Sequence, residues 1–405
     1  MIDKLVLRCD FLKVENTNRL GEYRWPDFQL AALDIPLEQS IDRDRQVSNT
    51  RHPWEKIPSS YDNMAFKVFD HRYDPLDSFY IEIKASPAKI MQGHNVFGSS
   101  DFYDCCMHLM VLLCESNPAV AEVLDHTSWS LAQIDITYST RAKDNHEAVA
   151  FINSLQNVSY GQTKPRTGFG GTAYFGKKNS RLKKIKVYAK GPEVHETIKE
   201  NALRVDGELL NQVYTAELIQ FADGLIRFEQ SLYHRYFERL GIPTRLRDIF
   251  LTNALSPSQL QNYWILSTSD LFNALRGQTM KVINDDDIRE QLRVLFSKTS
   301  KKTGKVSTAA ADAAYRTYRD IRRDGWLIAR DAMVIRTFDR HVKMLTDCGL
   351  SRAALQNMTG IDNGAQIIPF MRFIQVDFCS QFPEGYVLPP PVYVYEPKPQ
   401  LRLVA

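Results

Sequence analysis

Residues 79–84, Phe-Tyr-Ile-Glu-Ile-Lys, alternate apolar and polar positions without a break. Ile81 and Ile83 point one way and Tyr80, Glu82 and Lys84 the other, as in a half-buried strand. Residues 129–138 repeat the pattern, with Gln133, Asp135 and Thr137 opposite Ile134 and Ile136. Residues 225–231 do so again, with Arg227 and Glu229 opposite Ile226 and Phe228. Shorter strand-like pieces occur at Leu5–Arg8 and Ala65–Phe69. Residues 172–193 read as a hairpin: a β-prone run Thr172–Phe175, turn residues Gly176–Ser180, and a second run Leu182–Lys190 ended by Gly191-Pro192. Between these strands, Asp101–Cys114, residues 144–156 and residues 194–223 carry apolar side chains at helical spacing. From about residue 245 strand signals thin out and helical runs dominate: Ser256–Leu275, Asp286–Phe296, Ser307–Arg323, Asp331–Asp347 and Ser351–Met358. The pattern predicts an α+β fold. An antiparallel sheet covered by helices occupies residues 1–245, and a mainly helical part occupies 246–405, ending in a proline-rich tail at 386–405.

The faces turned away from the core carry the candidate chemistry. In the hairpin, Lys184, Lys186, Tyr188 and Lys190 share one face, and Ile185, Val187 and Ala189 the other. Seven basic residues (Lys177, Lys178, Arg181, Lys183, Lys184, Lys186, Lys190) and no acidic one lie between Gly176 and Lys190. A tyrosine amid ammonium groups suits attack on a phosphodiester. With a pKa of about 10, only about one free tyrosine in a thousand is phenolate at pH 7, and adjacent cations or a metal lower that pKa. The same stretch also fits an edge strand whose lysines are solvated and block aggregation. Four strands place Glu82, Asp135, Tyr188 with Lys190, and Arg227 with Glu229 on non-core faces. If those faces meet on one sheet, carboxylates, a tyrosine and cations share a surface suited to a hard divalent cation, Mg²⁺ or Mn²⁺. His94, in the glycine-flanked loop 92–98, is either a ligand or acid/base group or a loop histidine bonded to backbone.

Composition narrows the class. A chain of 405 residues, 44% hydrophobic and 24% charged, predicts two or three domains. No apolar run reaches the ~18 residues of a membrane span, and charges interrupt the N-terminus, unlike a secretory signal peptide. The six cysteines (9, 105, 106, 114, 348, 379) show no paired metal spacing and read as reduced thiols of a cytosolic protein. The net charge of +3 does not by itself imply nucleic-acid binding, so local clusters matter more. Besides the hairpin there is the linker Ser297–Lys305 and the helix after it, where Arg316, Arg319 and Arg323 fall on one face. That face fits either solvent or DNA phosphates. A P-loop, a dinucleotide glycine fingerprint, a catalytic serine elbow and a His-x-His metal pair are all absent, which leaves ATP hydrolysis and acyl transfer without support.

Several stretches resemble the replication initiators of filamentous phages, the gene II protein family: Glu82–Gly98, Gln133–Thr137, Val158–Lys164, Tyr188-x-Lys190-x-x-Glu193, Gly224–Glu229, Lys302–Lys305 and Arg372–Phe378. The likeness spans nearly the whole chain and is weakest in residues 10–60 and the last twenty. The hairpin is more distantly similar to the core of plasmid rolling-circle initiators, from which the missing His-x-His pair departs. The resemblance implies an enzyme that nicks and closes one strand of supercoiled phage DNA at the replication origin. In such enzymes a tyrosine attacks phosphorus, keeps the 5′ phosphate and frees a 3′-OH primer. By motif position Tyr188 is the implied nucleophile and Lys190 its electrostatic partner. Asp135 and Glu229 are the implied metal ligands, with Glu82, His94 and Glu193 as further candidates. Lys177, Lys178, Arg181, Lys184, Lys186, Arg316, Arg319 and Arg323 are the expected DNA contacts. The resemblance also implies work in the host bacterial cytoplasm, host helicase and replication machinery as partners, self-association on DNA, and an internal start at Met280 giving a separate C-terminal product. A non-catalytic origin-binding protein and a water-using metal nuclease remain the alternatives from the residues.

Overall fold

The computed structural model describes residues 1–15, 23–24, 33, 35–43, 45–70, 79–155, 166–167, 172–177, 179–276, 285–299, 304, 306–348, 350, 352–356 and 370–396. Lys178, Met280, the stretch 158–164, much of the linker before residue 306 and the tail beyond 396 lie outside them.

Nine strands form one sheet: β1 (Ile2–Asp10), β2 (Glu55–Pro58), β3 (Asn63–Asp70), β4 (Phe79–Ala85), β5 (Ser130–Arg141), β6 (Arg166–Thr167), β7 (Thr172–Phe175), β8 (Lys183–Ala189) and β9 (Leu225–Tyr233). Their order across the sheet is β6-β7-β8-β9-β5-β1-β4-β3-β2, and every pairing is antiparallel. The alternating runs of the sequence become strands whose apolar faces point to one core. Ile134, Ile136, Phe228, Leu232, Ile185 and Val187 are all buried there. The helices Phe102–Ser116, Asn145–Leu155 and Pro257–Arg276 close that face through Cys105, Leu109, Phe151, Ile152 and Trp264. Trp264 is tied in by its indole N–H, which donates to the Phe228 carbonyl at 3.1 Å. All six cysteines are unpaired thiols. No helix among the described residues is long and apolar enough to cross a membrane.

The break between hydrophobic cores does not fall at the division expected near residue 245. Leu246, Ile249, Leu260, Trp264, Leu271 and Leu275 belong to the sheet's core, and so do Phe370, Phe373 and Ile374 from much later in the chain. A second core spans Ile288 to Leu355 and is built by the helices Asp285–Phe296, Ala309–Asp324 and Ile335–Asp347. The helical reading of this part stands, but its flanks are drawn to the sheet because their aromatic residues fit between the sheet and its helices. Phe370 and Phe373 lie 5.7 and 4.6 Å from Phe151.

Gly191-Pro192 does more than end strand β8. A helix, Lys190–Ala202, begins at Lys190, with Pro192 and Glu193 in its first turn, where a missing N–H and a negative charge are favourable. Lys190 is therefore a helix-start residue and not the last residue of the strand.

Candidate active site

The polar faces of β1, β5, β9 and β8 meet on one side of the sheet. Across β5 and β9, Thr137 faces Glu229, Asp135 faces Ser231 and Ser139 faces Arg227. Across β9 and β8, Glu229 faces Lys186 and Arg227 faces Tyr188. Side chains paired in this way stand on the same face within reach of one another. The register of β1 adds Asp3. Ile2 pairs with Ile136 and Lys4 with Asp135, so β1 carries one extra residue there, a bulge. Ile2 and Leu5 both enter the core, and Asp3 and Lys4 between them serve the polar face.

Three carboxylates, Asp3, Asp135 and Glu229, are thereby brought together in a buried setting. Burial raises Glu229 to about 7, the neighbouring Asp3 adds to that rise, and Lys186 only partly offsets it. Burial also raises Asp135, against the pull of Lys4 and a 2.7 Å hydrogen bond donated by Gln133. For Lys186, burial is the largest effect and lowers the pKa, but Glu229 at 3.3 Å, Asp3 and Tyr174 together outweigh it and leave the pKa raised. The Lys186 ammonium also lies 4.1 Å from the centre of the Tyr188 ring.

Tyr188 is 5% exposed. Burial lifts its phenol well above the ordinary value, with the Arg227 charge pulling the other way. Neighbouring cations therefore do not leave Tyr188 with a lowered pKa in the protein alone, because removal from water outweighs them. Arg227 is fully buried, and its two terminal nitrogens donate to the carbonyls of Asn95 and Val96. Asn95 holds three parts of the site. Its amide nitrogen donates to Asp3 at 2.8 Å, its amide oxygen accepts from Lys190 Nζ at 2.8 Å, and its carbonyl receives Arg227. Lys190 is 1% exposed, pairs with Glu193, and is lowered by burial to about 8. Gly191 lets this helix start come so close, since a Cβ there would collide with Asn145 Oδ1. Asn95 and Asp3 were missed in the sequence. The spacing of Ile2 and Leu5, three apart where a plain strand has two, was the available signal for the bulge.

The remaining candidates lie elsewhere or in other roles. Glu82 stands on β4 opposite Arg8 and Lys67, with Lys84 alongside, and takes no part in the carboxylate group around Asp135. His94 is buried and is lowered to about 4 by burial, with Lys190 and Arg227 adding to the shift. Its ring contacts Gln92 and the Val96 N–H. Lys177 and Arg181 are exposed, and Lys184 stands 5.2 Å from the Tyr233 ring. Arg316, Arg319 and Arg323 are exposed on the helix Ala309–Asp324 of the second core, where Arg323 also bonds Asp324 and Asp320.

Among the described residues no three His, Cys, Asp or Glu side chains converge as a ready-made metal cage. The donor chemistry still fits a hard cation. Asp135 and Glu229 offer oxygens, their charge is disfavoured by burial, and Mg²⁺ commonly uses only one or two carboxylates with waters and phosphates.

Residues 1–253 match the family model for the N-terminal part of the phage replication-associated protein, the gene II product, and residues 301–392 match the model for its C-terminal part. The chain is 33% identical to the replication-associated protein of Salmonella phage IKe, over 97% of each chain. It is 32% identical to the proteins of that name from Enterobacteria phages f1 and fd, over 95% of this chain and 98% of theirs. No solved structure matches. The chain belongs to the replication-associated protein family of filamentous phages, the gene II proteins.

Proposed function

We propose that this protein initiates phage DNA replication by nicking and closing one strand at the origin of the double-stranded replicative form, with Tyr188 as the nucleophile. One observation carries the reading: Tyr188 and Arg227 pair across two strands on the sheet face that also gathers Asp3, Asp135 and Glu229. The family membership and the replication-associated relatives support it. Tyr188 Oη attacks the phosphorus, the bond to the 3′ oxygen breaks, and the 5′ phosphate stays on the tyrosine. The phenol gives up one proton and the 3′ oxygen takes one, so the exchange is balanced, and its reversal reseals the strand. Arg227 and Lys190 stabilise negative charge on the phenolate and on the phosphoryl group in transfer. Asn95 keeps both cations in place. Asp135 and Glu229, with Asp3 beside them, would hold Mg²⁺ or Mn²⁺, which when bound supplies Lewis-acid stabilisation to the phosphate. Lys177 and Arg181, exposed next to β8, suit the flanking DNA backbone.

The test uses supercoiled DNA of the cognate phage with Mg²⁺ and a denaturing gel run with and without protease. The wild type should give a nicked circle whose 5′ end carries a protease-sensitive adduct. Tyr188→Phe should lose the adduct and the nick while still shifting the DNA. Nicking by Tyr188→Phe, or a free 5′ phosphate from the wild type, would refute the tyrosine route. A mobility shift with no cleavage would leave only an origin-binding protein.

A further inference from the structure

Strands β4, β3 and β2 make the half of the sheet that the site leaves unused. Ile81, Ile83, Phe66 and Val68 enter the core, so Tyr80, Glu82 and Lys84 on β4 and Lys67 and Phe69 on β3 stand on the other face. Phe69 pairs with Tyr80 across these strands, and their rings stack at 4.8 Å and 12°. Trp54, which leads into β2, meets Phe69 edge-on at 6.5 Å. Each of the three rings has a cation against it. Lys84 Nζ lies 3.5 Å from the centre of the Trp54 ring, Lys67 Nζ 5.1 Å from that of Phe69, and the Arg8 guanidinium 3.4 Å from that of Tyr80. The group reaches solvent: Trp54 is 37% exposed and the Arg8 side chain 35%. Across β1 this face runs on into the site. Val6 pairs with Lys84 on one side and with Gln133 on the other, and Gln133 donates to Asp135. β4 is two strands from β5, roughly 10 Å.

Rings interleaved with cations on an open sheet face match one ligand chemistry. Cations alone suit the phosphates of a duplex, whose base faces are hidden in the stack. An unpaired strand offers base faces to the rings and phosphates to the cations together. The charge agrees, since Arg8, Lys56, Lys67 and Lys84 outnumber Asp10 and Glu82 on this face. We propose that this half of the sheet is a stacking platform for single-stranded DNA beside the scissile linkage. Trp54, Phe69 and Tyr80 take the bases, and Lys84, Lys67 and Arg8 the phosphates. The proposal deepens the nicking function and rests on it for the DNA concerned. Binding exchanges each cation–ring contact for a ring–base and a cation–phosphate contact. Stacking on the platform then offsets stacking lost from the duplex, so the strand stays open next to Tyr188.

The experiment measures fluorescence anisotropy of a labelled single-stranded oligonucleotide of origin sequence, and of the duplex of the same sequence, with full-length protein and no divalent ions. Trp54→Ala should weaken single-strand binding by about tenfold or more and leave duplex binding unchanged. Trp54→Phe keeps a ring and should recover most of the loss. Trp54→Ala should keep the wild-type salt dependence, whereas Lys84→Gln should reduce its log–log slope by about 0.7, one phosphate contact on a single strand. Wild-type single-strand affinity in Trp54→Ala would overturn the proposal, as would phenylalanine as weak as alanine. Equal weakening for duplex and single strand would also overturn it and make the patch a general phosphate surface. Single-strand binding lost in Trp54→Ala, with no tyrosine adduct on supercoiled DNA, would sink the tyrosine route and leave the platform standing.

Discussion

Asn95 bonds to both signs of charge at once, to Asp3 through its amide nitrogen and to Lys190 through its amide oxygen. Replacing it with alanine leaves two buried charged groups each short of a partner. Asn95→Ala should therefore cost about 1–3 kcal/mol in urea denaturation, and a change under about 0.5 kcal/mol would show that the network tolerates its loss. Glu229 gives a pH signature. Its folded pKa of about 7 lies above its ordinary 4.5, so the folded chain holds this proton more tightly than the unfolded one. Stability from that proton is fully present below about 4.5 and is lost as the pH rises to about 7. Melting temperature measured without divalent ions should fall between pH 5 and pH 8, and Glu229→Gln should flatten the fall. An equal slope in the variant would place the titration elsewhere. Individual polar residues were legible in part. Asp135, Tyr188, Arg227 and Glu229 follow from a period of two, which any alternating strand displays. Asp3 sits where a bulge breaks that period, and Lys190 where one residue both ends a strand and starts a helix.

Among the elements, β5 is the organising strand. It runs from Ser130 to Arg141 and so extends past the start of β1, whose Ile2 pairs with Ile136. Beyond that pairing the Met1 backbone bonds both backbone groups of Thr137, no further strand lies beside β5 among the described residues, and Gln381 bonds the Ser139 backbone instead. Gln381→Ala should cost about 1–2 kcal/mol and hasten hydrogen exchange at the Ser139 N–H, while leaving exchange at Ile134 unchanged. Unaltered exchange at Ser139 would show that the edge holds without its side-chain cap. The strands were recognisable because each alternates locally. Their neighbours were not, since adjacency in a sheet depends on contacts distant in sequence. β1 comes first in the chain yet lies between β5 and β4 near the middle of the sheet.

At the scale of the whole molecule, the described residues form three hydrophobic cores, the third around Phe97 and Leu218, and the chain visits the first of them twice. The segment after residue 370 returns to the sheet. Phe373 packs on Phe151, Phe378 sits 4.9 Å from Tyr138 and 5.7 Å from Trp264, and Phe382 and Tyr386 stack near Phe97. Farther on, the Tyr393 N–H donates to Asp104 at 2.7 Å. The sequence marked this stretch only as a short family motif and a proline-rich tail, because a segment that binds through scattered aromatic residues has no period of its own. The return has a consequence for the timing of synthesis. Every strand of the sheet has left the ribosome once residue 233 is out, but Gln381 and the aromatic residues that seal its edge are translated far later. A nascent chain halted before residue 370 would hold Tyr188, the carboxylates and the basic hairpin, yet lack Gln381 and the aromatic residues that pack beside Arg227 and Ser139. On the nicking function proposed for this site, competence to cut then arrives only as translation nears its end, so that an unfinished copy is not a cutting one.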